Sequence, residues 1–218
     1  MLKIKKMVCV LGLIGTIIAG LSSPVFAVVI YDQGLSDTDN YGFISNIGGD
    51  LSADNFVVTD DTVLQLMTWY GMYGAAGAGT VDSFDIQIFD MAGTELFGKS
   101  YVSNIDKSYS GFDDAYGEMI YQYQVSVSDW AVSAGSYLLS ISNSNTYFSE
   151  WYWADGLGGD GASYYFDSGA WVAEYIGIDM AFTLEGEQAV APAPEPSTFV
   201  LFAFGTLGMA ALGRRVKA

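Results

Sequence analysis

The ten residues Met119-Ile120-Tyr121-Gln122-Tyr123-Gln124-Val125-Ser126-Val127-Ser128 alternate apolar and polar side chains with a period of two. Successive side chains of a strand point to opposite faces of a sheet. Tyr121, Tyr123, Val125 and Val127 therefore share one face, and Gln122, Gln124, Ser126 and Ser128 the other. This pattern predicts a half-buried strand of an antiparallel sheet, apolar inside and polar outside. The alternation recurs at Phe84, Ile86 and Ile88, at Tyr137, Leu139 and Ile141, and at Met180, Phe182 and Leu184. Further strands are predicted over 28–31, 43–47, 55–58, 63–70, 150–154 and 162–166. No proline occurs between Val28 and Ala191, so turns fall to Gly, Asn and Asp, and 20 of the 26 glycines lie in that span. No stretch there carries a helical stripe. Many short strands with turns between them predict an all-β fold, an antiparallel two-sheet β-sandwich of jelly-roll type.

Charge narrows the function classes. The 218 residues contain 8 basic and 25 acidic side chains, no His and one Cys. Between residues 28 and 193 only Lys99 and Lys107 are basic against 24 acids, a formal charge of −22. Such a surface repels phosphate backbones, so nucleic acid is not a partner. The lack of His removes His bases and His metal ligands. Cys9 lies in the N-terminal apolar run, which removes disulfides and thiolate chemistry from the rest. An apolar fraction of 51% argues for a folded domain despite the acidity.

The two ends read as addresses. Residues 1–27 form a signal peptide: Lys3, Lys5 and Lys6, then an apolar run, then Val25-Phe26-Ala27, which predicts signal peptidase cleavage between Ala27 and Val28. Residues 28–190 are the acidic sandwich domain, 191–193 a linker, and 194–218 a tail. In the tail the uncharged run 198–212 is followed by Arg214, Arg215 and Lys217. Residues 197–213 would span about 25 Å as a helix, enough for a thin bilayer. The basic cluster marks the cytoplasmic side and acts as the stop-transfer end. Pro194 and Pro196 keep the chain extended ahead of it.

The tail APEPSTFVLFAFGTLGMAALGRRVK, with Pro194-Glu195-Pro196-Ser197 at its head, resembles the PEP-CTERM sorting signal of Gram-negative bacteria. A Pro-Glu-Pro triplet, an apolar helix with glycines and an arginine-rich end stand in register; Ala193 occupies a place where Val is common. The resemblance implies processing near the triplet by an exosortase, an inner-membrane intermediate, and then a place on the cell envelope, the outer surface or the extracellular matrix. It also implies a host that makes exopolysaccharide. The segments at 53–56, 69–73, 82–94, 134–141 and 179–186 look like sandwich domains found in such proteins, which supports the fold and supplies no catalytic residue.

Three groups of residues are candidates for chemistry. Trp151 and Trp153 are two apart on one strand face and, with Trp69, Tyr70 and Tyr73, would make a platform for sugar rings; the competing reading places them in the core, where a large sandwich needs bulky residues. Asp37 and Asp39, and Asp155 and Asp160 in a glycine-rich loop, are the calcium candidates, set against plain turn-forming roles. Asp60-Asp61 and Asp113-Asp114 are paired carboxylates, but in so acidic a chain such pairs arise by chance and carry little weight for a glycosidase. The expectation is a surface or matrix protein, structural or adhesive, in or beside an extracellular polysaccharide. It is not expected to be an enzyme, and no cofactor is expected apart from calcium. A carbohydrate-binding module that uses the Trp platform is the alternative, and a glycosidase ranks third.

Overall fold

The computed structural model describes residues 27–36, 41–74, 82–144, 150–174, 177–188 and 204, without the side chains of 128 and 129. Among these residues the named elements are all strands: β1 (Val28–Gln33), β2 (Gly42–Ile44), β3 (Ser52–Val58), β4 (Thr62–Tyr73), β5 (Phe84–Asp90), β6 (Glu95–Tyr101) and β7 (Asp106–Asp113). They continue with β8 (Met119–Val132), β9 (Gly135–Asn143), β10 (Trp151–Gly156), β11 (Ser163–Asp167), β12 (Ala170–Glu174), β13 (Asp179–Met180) and β14 (Phe182–Gln188). Residues Phe26–Ala189 form one compact unit.

Two antiparallel sheets result. The larger runs β1-β14-β4-β10-β13, with β8 and then β7 beside β4, and β2 beside β10. The smaller runs β12-β11-β3-β9-β5-β6. Ring contacts join the sheets across a shared core: Trp69 to Phe84 at 5.2 Å, Tyr31 to Phe56 at 6.0 Å and Phe56 to Phe182 at 6.3 Å between centroids. The alternating residues Tyr123, Val125 and Val127 enter this core, together with Phe84, Ile86, Ile88, Leu139 and Ile141. Burial of these side chains supplies the main drive for the two faces to close on one another.

Three features depart from the simple pattern. The outer faces are not uniformly polar. Ile120, Met72, Ala154 and Ala181 form a buried cluster under Leu35, Tyr70 and Tyr152, and Ala53, Phe89 and Leu138 form another under Tyr164 and Trp171. The strand predicted through Met180–Leu184 is divided at Ala181: β13 pairs with β10, while β14 pairs with β1 and β4. Finally, β6, β7 and β12 lie where no strand was predicted. Most of their side chains are exposed or half-exposed, so neither face carries the apolar alternation that announces a buried strand.

Candidate functional site

Trp69, Trp151 and Trp153 are completely buried. Trp69 stacks on Tyr123 at 5.5 Å, and Phe84 meets Trp151 edge-on at 4.9 Å. Trp153 donates its indole N–H to the Ala181 carbonyl at 3.0 Å. A sugar platform needs ring faces in solvent, so the platform reading is corrected: these rings are core. Trp69 and Tyr70 are neighbours on β4, and alternation alone sends them to opposite faces. Tyr70 packs half-buried on the outer cluster. Gly71 makes room for the arrangement, since a Cβ there would stand 2.3 Å from the Trp151 ring. Tyr73 also turns inward; its hydroxyl donates to Asp82 at 2.6 Å.

The same end of the core holds a cation. Lys107 on β7 reaches both Asp82 oxygens at 3.1 Å and lies 4.2 Å from the centroid of the Tyr121 ring, 5.1 Å from Tyr73 and 5.3 Å from Tyr123. Asp82 and Lys107 neutralise one another inside an aromatic cage, a geometry that closes the core.

The acidic loop is arranged differently from the expectation. Asp37 and Asp39 lie outside the described residues. Asp155 is half-buried, and its Oδ1 accepts the Tyr41 N–H at 3.0 Å, tying the chain before β2 to β10. Burial pushes its pKa up to about 6, against the opposing pull of that N–H. Asp160 is exposed. Its Oδ1 accepts the Ala162 N–H at 3.0 Å, and its Oδ2 accepts the Asn55 amide at 3.1 Å. Among the described residues no three His, Cys, Asp or Glu side chains are placed to hold a metal ion.

Instead the loop lies against an acid that the sequence reading passed over. Asp54 on β3 is fully buried. Its Oδ1 accepts the Asn55 N–H at 2.7 Å, and its Oδ2 accepts the Met180 N–H. In the amide orientation that satisfies both ends, Gln33 donates to Asp54 Oδ2 at 3.1 Å and to the Met180 carbonyl at 2.9 Å, and accepts from the Tyr31 hydroxyl at 3.0 Å. Burial pushes the Asp54 pKa up to about 8; the Met180 and Asn55 N–H groups oppose this, while the charges of Asp179 and Asp160 add to it. Gly159 lets the loop approach, because a Cβ there would stand 2.1 Å from Gln33 and 2.3 Å from Asp179. The signal was present in the sequence: Asp54 shares a strand face with Phe56 and Val58, so it occupies a core position. The cluster ties β1, β3, β13 and the glycine-rich loop together.

The tail residues Pro194, Glu195, Pro196, Ser197, Arg214, Arg215 and Lys217 lie outside the described residues, as does the chain before Ala27. A family model for the PEP-CTERM protein-sorting motif matches residues 192–215. The chain carries this sorting motif. The match holds the triplet Pro194-Glu195-Pro196, the apolar run and both arginines, and Lys217 stands two residues past its end. No match was found among curated proteins. The PEP-CTERM motif implies exosortase-mediated processing at a membrane and export from a Gram-negative cell. Among the described residues no helix is long and apolar enough to cross a membrane; apart from Phe204, the run 198–212 is not among them.

Proposed function

We propose that this chain is an exosortase-sorted surface or extracellular-matrix protein whose jelly-roll-like acidic domain has a structural or adhesive role beside exopolysaccharide. It performs no catalytic step and needs no cofactor. Signal peptidase frees Val28, the inner membrane holds the apolar run of the tail, and an exosortase-type enzyme reads the triplet. The sorting motif carries the reading. The described carboxylates support a non-catalytic role: Asp54, Asp82, Asp155 and Asp160 all bond to backbone, tyrosine, lysine or amide groups that join elements of the sandwich.

The test is fractionation and intact mass in a host that has an exosortase and in one that lacks it. Wild type in the first host is expected to lose its tail and move outward. Changing Pro194, Glu195 and Pro196 to Ala leaves the apolar run and its flanking charges untouched, so insertion persists and the intact chain accumulates in the inner membrane. Removal of 198–218 releases the domain to a soluble fraction. In the host without an exosortase, wild type and the triple variant stay alike in the inner membrane. Processing of the triple-Ala variant like wild type overturns the sorting role of the triplet.

A further inference from the structure

The end of β6 and the connection 102–105 into β7 close around a cleft of about 370 Å³, whose other wall is Leu66 on β4 with Gln124, Val125 and Ser126 on β8. The chain passes here from the smaller sheet to the larger. Tyr101 bridges the two sheets at this point: its ring is buried and its hydroxyl donates to the Ser126 carbonyl at 3.4 Å. β8 carries an irregularity just beyond the cleft, where Leu66 pairs with Ser126 but Leu64 pairs with Trp130, so the strand bulges. Bulges often stand next to binding and catalytic sites, where they re-aim side chains or end the pairing.

The polar side chains here are unengaged. Asp90 and Asp114, in the other hairpins, cap their own turns with their carboxylates. Ser100, Ser103, Asn104 and Asp106 make no side-chain hydrogen bond to any described residue. Gln124 is different: its amide nitrogen donates to Thr68 Oγ1 at 3.1 Å, which fixes the group. Lys99 lies over the Tyr101 ring at 4.9 Å; among the described residues the one ion pair is Lys107 with Asp82, so Lys99 faces no carboxylate at bonding distance.

We infer that this cleft binds a neutral saccharide, one or two sugar units of a longer chain. The volume falls at the small end of the range for small-molecule sites. An apolar ligand would bury Ser103, Asn104 and Asp106 without partners, which is unfavourable. An anion would meet a single lysine beside Asp106 on a domain of charge −22. A metal cation would find one carboxylate. A neutral polyol matches what is there: amides, hydroxyls, an ammonium and a carboxylate for its hydroxyl groups, with Leu66 and the exposed Val102 for its C–H faces. The inference deepens the adhesive reading above and rests on it for the source of the sugar.

The experiment uses the full chain in a detergent without a sugar head group. Isothermal titration with cellotetraose and maltotetraose as neutral probes is compared with tetragalacturonate as the acidic one, and retention on the host's own polysaccharide is measured in parallel. A neutral tetraose is expected to bind, and Asn104→Ala and Asp106→Ala are each expected to weaken it about tenfold. Their melting temperatures should match wild type, since neither side chain bonds to the protein. Glu174→Ala, on β12, is the control and should bind normally. Tighter binding of tetragalacturonate, or equal binding by wild type and both cleft variants, overturns the inference. If neither neutral tetraose binds while the host polysaccharide is retained, the cleft assignment falls and the adhesive reading stands. If neither binds, both fall.

Discussion

Asp54 shows how one residue couples burial to pH. Its carboxyl is raised to about 8 in the fold, against an unfolded value near 3.9. Between those values the folded chain holds a proton that the unfolded chain has lost, so the contribution to stability falls as pH rises and is gone above the folded pKa. Asp155 adds a similar slope that ends near pH 6. The window from about 6 to 8 therefore isolates Asp54. Urea midpoints are expected to fall across that window in wild type and to stay flat in Asp54→Asn; a wild-type midpoint that is level or rising there would contradict the raised pKa. Trp151 gives a second prediction at this scale. Its ring fills the space above Gly71 and contacts Phe84, so Trp151→Ala is expected to cost about 3–5 kcal/mol in chemical denaturation. An unchanged midpoint would mean that the ring is not packed as described.

Among elements, pairing sets the hierarchy of stability. Over Thr62–Trp69, β4 is hydrogen-bonded to β14 on one side and β8 on the other. Among the described residues β6 bonds only to β5, and β8 beyond Gln124 bonds only to β4. Hydrogen exchange is expected to be slowest in β4 and markedly faster in β6, whose outer edge opens without disturbing the core. Equal protection in β4 and β6 would show that the sheet edge is covered. The strands that the sequence announced are those with buried faces: β5, β8, β9 and β14 all carry the period-two pattern. β6, β7 and β12 lie at or beside the sheet edges, and the exposure of most of their side chains weakens the selection for alternating apolar residues. One wall of the cleft is the end of β6, the start of β7 and the connection between them, which is why no reading of periodicity located it.

In the whole molecule, acidity and sorting belong together. Nothing in the −22 surface favours an anionic membrane, so on the proposed reading retention before processing falls to the apolar run and basic end of the tail. The sorting test above therefore works at this scale: it separates insertion, which depends on hydrophobicity and flanking charge, from recognition of three residues. Inside the domain, the two lysines take unlike roles. Lys107 is locked between Asp82 and three tyrosines, while Lys99 stands at the cleft.

Local pattern is enough for some of this. The class of fold follows from alternation, because a strand's geometry assigns faces two residues at a time without knowledge of the partner. The sorting motif is equally local, a triplet, a run and a cluster contiguous in the chain, and residues 192–215 carry it whole. Contacts between distant segments were decided only in three dimensions. Trp151 and Trp153 lie on one strand face in either reading, and whether that face meets solvent or the second sheet depends on β5, which brings Phe84 against Trp151. Asp155 and Asp160 are five residues apart in sequence, yet one is tied to Tyr41 and the other to Asn55. Asp54 gains its raised pKa first from burial in the fold and then from the charges of Asp179 on β13 and Asp160 in the loop before β11, neither of them its neighbour along the chain. Burial and field are sums over whatever the fold brings close, and no window of sequence contains them.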